Sequence, residues 1–204
     1  MISPTTFALF LTTSAVLVLI PGPNHLYITA RGLSQGRAAG LVSALGVEIG
    51  TLMHIAAAAA GLSYVIAQSA TLYTVIKWAG VAYLVYLGIR AFTGKQAEAG
   101  RPEPQPLRKV FLEGVLVNVF NPKTLLFFLA LLPQFVRPES GSPALQVVLF
   151  GCTLLLLGLI SDIVYALTAG ALGRRLNRAA GGLRYVSGVV YLGLGVLTAF
   201  TGRQ

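Results

Sequence analysis

The stretch LVLIPGPNHLYITARG at residues 17–32 interrupts an apolar run with four residues that favour a helix break: Pro21, Gly22, Pro23 and Asn24. Proline removes a backbone donor and clashes with the preceding turn. In hydrocarbon, backbone freed in this way is tolerated only where it is buried in protein or lines a wet cavity. The break is therefore predicted to face the protein interior. A packing kink is the alternative, since proline is common in spanning helices.

A second apolar run, VNVFNPKTL at residues 117–125, contains Asn118 together with Asn121, Pro122 and Lys123. The same reasoning predicts a break there, and two breaks strengthen the functional interpretation. A half-helix that begins at Asn24 would direct the positive end of its dipole at the first break, which favours a carboxylate. Carbonyl groups freed before the break favour an ammonium group or a cation.

Two isolated acids, Glu48 and Asp162, lie in other apolar runs. A charge at the bilayer centre costs about 2.5–3.5 kcal/mol on insertion scales, so such a residue usually faces the bundle interior or a water-filled path. Each acid also belongs to a series of small residues at steps of four, which predicts a helix face that packs closely. The two series are Gly36, Gly40 and Ala44 before Glu48, and Gly158, Ala166 and Gly170 around Asp162.

A structural role is the alternative for each acid, either as a neutral hydrogen-bonded carboxyl group or as the partner of Lys123. Lys123 itself could bind a substrate carboxylate, neutralise an acid in one state of a transport cycle, or hold helices together. His25 is expected near the first break and His54 in the core, and neither has a metal-ligand partner at a useful spacing. Glu113 is expected at the membrane interface.

The elements that carry these residues are predicted to be membrane-spanning helices. The 204 residues are 55% hydrophobic and 10% charged, against about 25% charged in soluble domains, and the mean hydropathy is +0.77. A spanning helix needs about 20 apolar residues. Six runs qualify and predict a single all-α integral membrane domain over 1–204: 6–30, 38–66, 71–92, 110–135, 144–170 and 183–201. A signal peptide is disfavoured because residues 1–30 lack a basic start and their apolar stretch is too long.

The formal net charge of +9 is concentrated in three loops, at 31–37, 93–109 and 173–184. By the positive-inside rule these loops are cytoplasmic, which places both termini outside. The basic residues therefore orient the protein in a lipid bilayer and do not indicate a nucleic-acid partner. The single cysteine, Cys152, excludes an intrachain disulfide.

The linker at 93–109 is rich in proline, glycine and charge, and it divides the chain into repeat one, 1–92, and repeat two, 110–204. Three spans in each half predict two inverted repeats, as in many transporters. Spans one and four carry the breaks, and spans two and five carry the acids. The distance in sequence from break to acid differs between the halves, so the repeat is only suggested. The sequence lacks nucleotide-binding, hydrolase and metalloprotease motifs. We therefore predict that the chain is not an enzyme and binds no cofactor.

Three segments carry a resemblance to a known family: IPGPNHLYITARGLSQGRAAGLVSALGVEIG at 20–50, KWAGVAYLVYLGIRAF at 77–92 and FLEGVLVNVFNPKTLLFFLALLPQFV at 111–136. The chain resembles the LysE/RhtB family of bacterial amino-acid exporters nearly end to end. The resemblance implies six spanning helices and export of an amino acid across the cytoplasmic (inner) membrane, driven by an ion gradient rather than ATP. It also points to Pro21 to Asn24, Glu48 and Asn121 to Lys123 as functional residues.

These observations predict a substrate site between the two broken spans and the two acids. The carboxylate of a zwitterionic substrate would meet helix N-termini or Lys123, and its ammonium group would meet Glu48 or Asp162. Proton exchange at one acid would couple transport to the proton gradient. A metal-ion exporter is the main alternative, although two carboxylates are a thin ligand set, and a non-transporting scaffold would not explain the breaks. A homo-oligomer is compatible with the sequence.

Overall fold

A computed structural model describes residues 2–68 and 102–200, together with isolated positions between 74 and 93. For 62–68 and much of 170–200 it describes the backbone alone. The described part is all-α, as predicted. Its helices are α1 (Pro4–Leu19), α2 (Pro23–Gln35), α3 (Arg37–Gln68), α4 (Leu107–Val119), α5 (Pro122–Leu126) and α6 (Pro143–Phe200). A π-helical turn at Phe127–Leu131 and 3-10 turns at Leu132–Phe135 and Pro138–Ser140 connect α5 to α6.

Both predicted breaks occur in the structure. Helix α1 ends before Ile20, whose backbone is extended, and α2 begins at Pro23, so the two helices meet at a bend of 46°. The second bend, between α4 and the segment Pro122–Phe135, is 43°. There the side chain of Asn121 accepts a hydrogen bond from the Lys123 N–H and caps the new helix. At the first break the His25 side chain accepts a hydrogen bond from the Gly22 N–H, so each break combines a proline with a side chain that satisfies a backbone N–H at the start of the new helix.

By length and composition, the described residues contain two helical segments that could cross a membrane, Arg37–Gly61 and Pro143–Ala169. The number rises to four if each bent pair is one span. These four correspond to the predicted spans one, two, four and five. The predicted span at 71–92 lies largely outside the described residues.

Two predicted boundaries are wrong. Helix α6 continues through 173–184, where a loop is predicted. The segment contains no proline, and eight of its twelve residues are alanine, leucine or arginine, which outweigh the weaker helix formers Gly173, Asn177, Gly181 and Gly182. Helix α4 begins at Leu107, inside the predicted linker 93–109. The N–H groups of Lys109 and Val110 both donate to the Pro106 carbonyl, and the helix starts three residues before the predicted span.

The small-residue faces of α3 and α6 pack against each other, as their spacing predicts. A methyl group added at Gly40 would lie 3.1 Å from the Ala166 Cβ atom. Ala44 and Ala166 are buried in the same apolar cluster. Helix α3 therefore approaches α6 closely enough for the side chains of Glu48 and Asp162 to line one cavity.

Candidate functional site

A network of asparagine side chains joins the two helix breaks. Asn24, at the start of α2, donates to the Asn118 Oδ1 atom at 3.0 Å. Asn121, at the second break, donates to the Asn24 Oδ1 atom at 2.8 Å. Asn118 is fully buried, and its own amide donates to the Val47 carbonyl and the Thr51 hydroxyl. The breaks of the two halves are therefore one connected structure that also contacts α3.

Lys123 crosses from the second break to the first. Its Nζ atom donates to the Ile20 carbonyl at 2.6 Å, so a carbonyl freed before the break does accept an ammonium group, as its chemistry predicts. Gly22 gives this side chain room, because a Cβ atom at Gly22 would lie 3.2 Å from the Lys123 Cδ atom. No ion pair joins Lys123 to an acid among the described residues. The predicted alternative of a Lys123–carboxylate pair is thus not found there.

The two acids lie together, and they differ in their partners. Glu48 and Asp162 are 7% and 3% exposed, and both line the same cavity. The Asp162 Oδ1 atom lies 3.4 Å from the His25 Nε2 atom. The Glu48 Oε2 atom is buried and has no hydrogen-bond partner among the residues that the structure describes. Helix α6 leaves room for the Glu48 carboxyl only because residue 158 is glycine: a Cβ atom there would lie 2.7 Å from the Oε1 atom.

These groups surround one cavity of about 60 Å³, large enough for a few water molecules. We call it the central cavity. Of the nine predicted site residues, six line it: Gly22, Asn24, Glu48, Asn121, Lys123 and Asp162. Pro21, Pro23 and Pro122 do not line it and act instead on the backbone at the breaks. Leu17, Val18, Phe127 and Leu154 add an apolar wall.

The predicted set omits four polar or small residues that line the central cavity: His25, Thr51, Thr124 and Gly158. Two of them could have been found from helical spacing, because Thr51 lies three residues after Glu48 and Gly158 four residues before Asp162. His25 was expected only near the break. In the part of the chain that the structure describes, no group of three or more His, Cys, Asp or Glu residues is placed to hold a metal ion.

A second cluster of polar side chains lies further along α2, and we call it the Arg31 cluster. Arg31 is buried, and its Nη2 atom donates to the Glu113 Oε2 atom at 2.7 Å. The same oxygen accepts bonds from Gln105 at 2.6 Å and from the Tyr27 hydroxyl at 3.3 Å. Glu113, expected simply at the interface, therefore joins α4 to α2 and to the segment that precedes α4.

Comparison with known proteins identifies the class. Residues 15–202 match the family described as LysE type translocator, so the chain belongs to this family of transporters and is not an enzyme. An uncharacterised membrane protein of Vibrio cholerae is 32% identical over 93% of this chain and 94% of its own length. The homoserine/homoserine lactone efflux protein of Salmonella typhimurium is 28% identical over 89% of this chain and 93% of its own length. No solved structure matches the chain.

Proposed function

We propose that this chain exports a small amino acid, or an amino-acid derivative, across the bacterial cytoplasmic membrane in exchange for protons. Membership in the LysE type translocator family supports the general activity. Two relatives named for homoserine and homoserine lactone efflux, at 28% and 29% identity, support the substrate class. The central cavity is the proposed site of binding.

The observation that carries this proposal is the unpaired Glu48 Oε2 atom in the central cavity. A buried carboxylate oxygen without a donor is costly, and a substrate ammonium group would supply several donors at once. Lys123 and the first turn of α2, whose N–H groups point towards the break, offer positive charge to the substrate carboxylate. The cavity thus presents groups of both signs, as a zwitterion requires.

Proton exchange follows from the same carboxyl group. A carboxylate that holds an ammonium group has no room for a proton on the same oxygen, so substrate and proton compete for Glu48. Competition for one group is sufficient for antiport if the cavity opens alternately to the two sides of the membrane. The bends of 46° and 43° provide places where half-helices can move.

The proposed arrangement in the membrane has six spans as two inverted repeats, with both termini outside. Helix α6 has 58 residues, whereas one crossing takes about 20, so the fifth and sixth spans would both belong to α6 and would meet at a bend in this helix, which the Gly181–Gly182 pair favours. Single cysteines at Ser140 and Gln96, in a Cys152→Ala background, test the orientation with an impermeant thiol reagent on intact cells. We expect labelling at 140 and not at 96. Labelling at 96 and not at 140 would show that the protein has the opposite orientation in the membrane.

Counterflow in proteoliposomes tests the activity itself. Vesicles loaded with an unlabelled amino acid should accumulate the same labelled compound, with homoserine first in a panel of small amino acids. Vesicles loaded with a divalent metal ion should not accumulate that ion. Metal exchange, or the absence of exchange for every amino acid and lactone tried, would overturn the proposed function.

A further inference from the structure

His25 lies where the first helix break meets α6. Its side chain is buried and uses both ring nitrogens. The Nδ1 atom accepts a hydrogen bond from the Gly22 N–H at 3.3 Å. The Nε2 atom lies 3.4 Å from the Asp162 Oδ1 atom and 3.2 Å from the Ser161 hydroxyl. One ring therefore spans the distance from the backbone of the break to a carboxyl group of the central cavity.

The hydrogen bond at Gly22 determines where the imidazole proton lies. A backbone N–H can only donate, so Nδ1 must accept, and a neutral imidazole then carries its proton on Nε2. This proton is directed towards Asp162 and Ser161. A doubly protonated ring would place its Nδ1–H against the Gly22 N–H, with two donors facing each other. The geometry therefore requires a neutral ring in this state.

We propose that His25 is a positioning residue that links the backbone of the first break to the protonation of Asp162. The inference rests on the proposed function and adds a residue to it. A proton that arrives on Asp162 turns a carboxylate into a weaker acceptor and loosens the bond to Nε2. A proton that arrives on Nδ1 removes the acceptor of the Gly22 N–H. In both cases protonation loosens the connection between α2 and α6 at the point where α2 begins.

The surroundings hold the ring in place and bring the other titratable groups of the cavity close to it. From α6, the Tyr165 ring packs on the imidazole with centroids 4.2 Å apart, beside Asp162. From α5 and α3, Lys123 and Glu48 line the same cavity as His25. The charge at the ring is therefore sensitive to whether these groups and a bound substrate are charged.

Two conservative variants separate the two ends of this link. In His25→Asn, the shorter side chain keeps an acceptor near the Gly22 N–H and loses the reach to Asp162. In His25→Gln, the longer side chain keeps a donor near Asp162 and loses the acceptor at Gly22. Neither amide titrates. If His25 only capped α2, Asn would rescue its role, and if it only held Asp162, Gln would rescue it.

The experiment compares homoserine counterflow with export against a substrate gradient driven by an imposed pH gradient, in proteoliposomes of each variant. We expect both variants to keep counterflow and to lose gradient-driven export by roughly 5- to 150-fold, the usual range of coupling between sites. The pH profile of counterflow, from about pH 5.5 to about pH 8.5 across the ordinary titration range of histidine, should change shape in both. His54→Gln, which alters a histidine outside the cavity lining, should behave as wild type.

If either His25 variant kept wild-type gradient-driven export, the proposed link would be overturned, because a bond to Gly22 alone or to Asp162 alone would then be enough. Loss of counterflow in both variants would also overturn it, since His25 would then serve binding or folding. Failure of the proposed function gives a different result: the wild-type protein itself would show no counterflow with any amino acid.

Discussion

The central cavity and the Arg31 cluster both contain buried charge between α2 and the second half of the chain, and they differ in how that charge is paired. In the Arg31 cluster one oxygen of Glu113 accepts bonds from Arg31, Gln105 and Tyr27. In the central cavity one oxygen of Glu48 accepts no hydrogen bond from the described part of the chain. A carboxylate oxygen that accepts several bonds holds helices together, whereas a buried carboxylate oxygen without a partner is costly unless a ligand or a proton satisfies it. The buried Arg31 Nε atom also lacks a partner among the described residues, but it is a donor and takes up no proton. The comparison separates a structural acid from a candidate transport acid.

The largest expected effect comes from removing the first break. Replacing Pro21 and Pro23 together with alanine restores helical hydrogen bonding and straightens the bend that opens the central cavity. We expect counterflow and gradient-driven export to fall by at least about tenfold, equivalent to about 1.4 kcal/mol, at normal membrane insertion. Pro4→Ala, at the exposed start of α1, is the matched control and should keep both activities. If the double variant transported as well as the wild type, the first break would be only a packing kink and would have no role in transport.

A smaller effect is expected from Gly158→Ala, which leaves every charge in place. Its methyl group would lie 2.7 Å from the Glu48 Oε1 atom, so the carboxyl group must move within the cavity. We expect the substrate concentration for half-maximal counterflow to rise by about tenfold, the effect of losing about 1.4 kcal/mol of binding. At Gly193 on the same helix, an added Cβ atom meets nothing within 4 Å among the residues that the structure describes, so Gly193→Ala should bind as wild type. Equal substrate affinities in Gly158→Ala and Gly193→Ala would show that Glu48 does not bind the substrate.

The smallest effect on transport is expected in the Arg31 cluster. Glu113→Gln keeps the shape of the side chain and weakens its bonds to Arg31, Gln105 and Tyr27. We expect the free energy of unfolding of the purified protein to fall by about 1 kcal/mol, as for weakened hydrogen bonds at a part-buried carboxylate, and this loss should appear as a lower Tm. Counterflow measured well below that Tm should stay within about twofold, less than 0.5 kcal/mol. A loss of transport at unchanged Tm would contradict the distinction between the two regions.

The sequence alone predicted those features that depend on local chemistry. Pro21, Pro23 and Pro122 break helices wherever they occur in an apolar run, so both bends could be predicted. The steps of four from Gly40 and from Gly158 predicted which faces of α3 and α6 pack together. The wrong prediction of a loop at 173–184 also has a local cause. The prediction followed the charge of the segment, whereas most of its residue types favour a helix.

Contacts between distant segments could not be predicted in the same way. Asn24 and Asn121 are 97 residues apart in the chain, and no periodicity indicates that their amides meet. The carbonyl that binds Lys123 belongs to Ile20, an apolar residue whose side chain gives no signal. The pairing of His25 with Asp162 likewise depends on how closely α2 approaches α6. Local patterns therefore indicated which residues line the site, and the packing of the helices decided their partners.

The central claim is that the Glu48 carboxyl group, whose Oε2 atom is unpaired among the described residues, couples substrate to protons. Glu48→Gln tests it most directly, because glutamine keeps the shape and hydrogen bonding of the side chain but can neither ionise nor release a proton. Gradient-driven export and counterflow are measured side by side in proteoliposomes, with Asp162→Asn in parallel. We predict that Glu48→Gln loses gradient-driven export by roughly 5- to 150-fold with a normal yield of folded protein. Counterflow that persists would assign Glu48 to coupling, and counterflow that disappears would assign it to binding the ammonium group. Wild-type gradient-driven export in both variants would contradict the account and leave only the helix breaks to explain recognition.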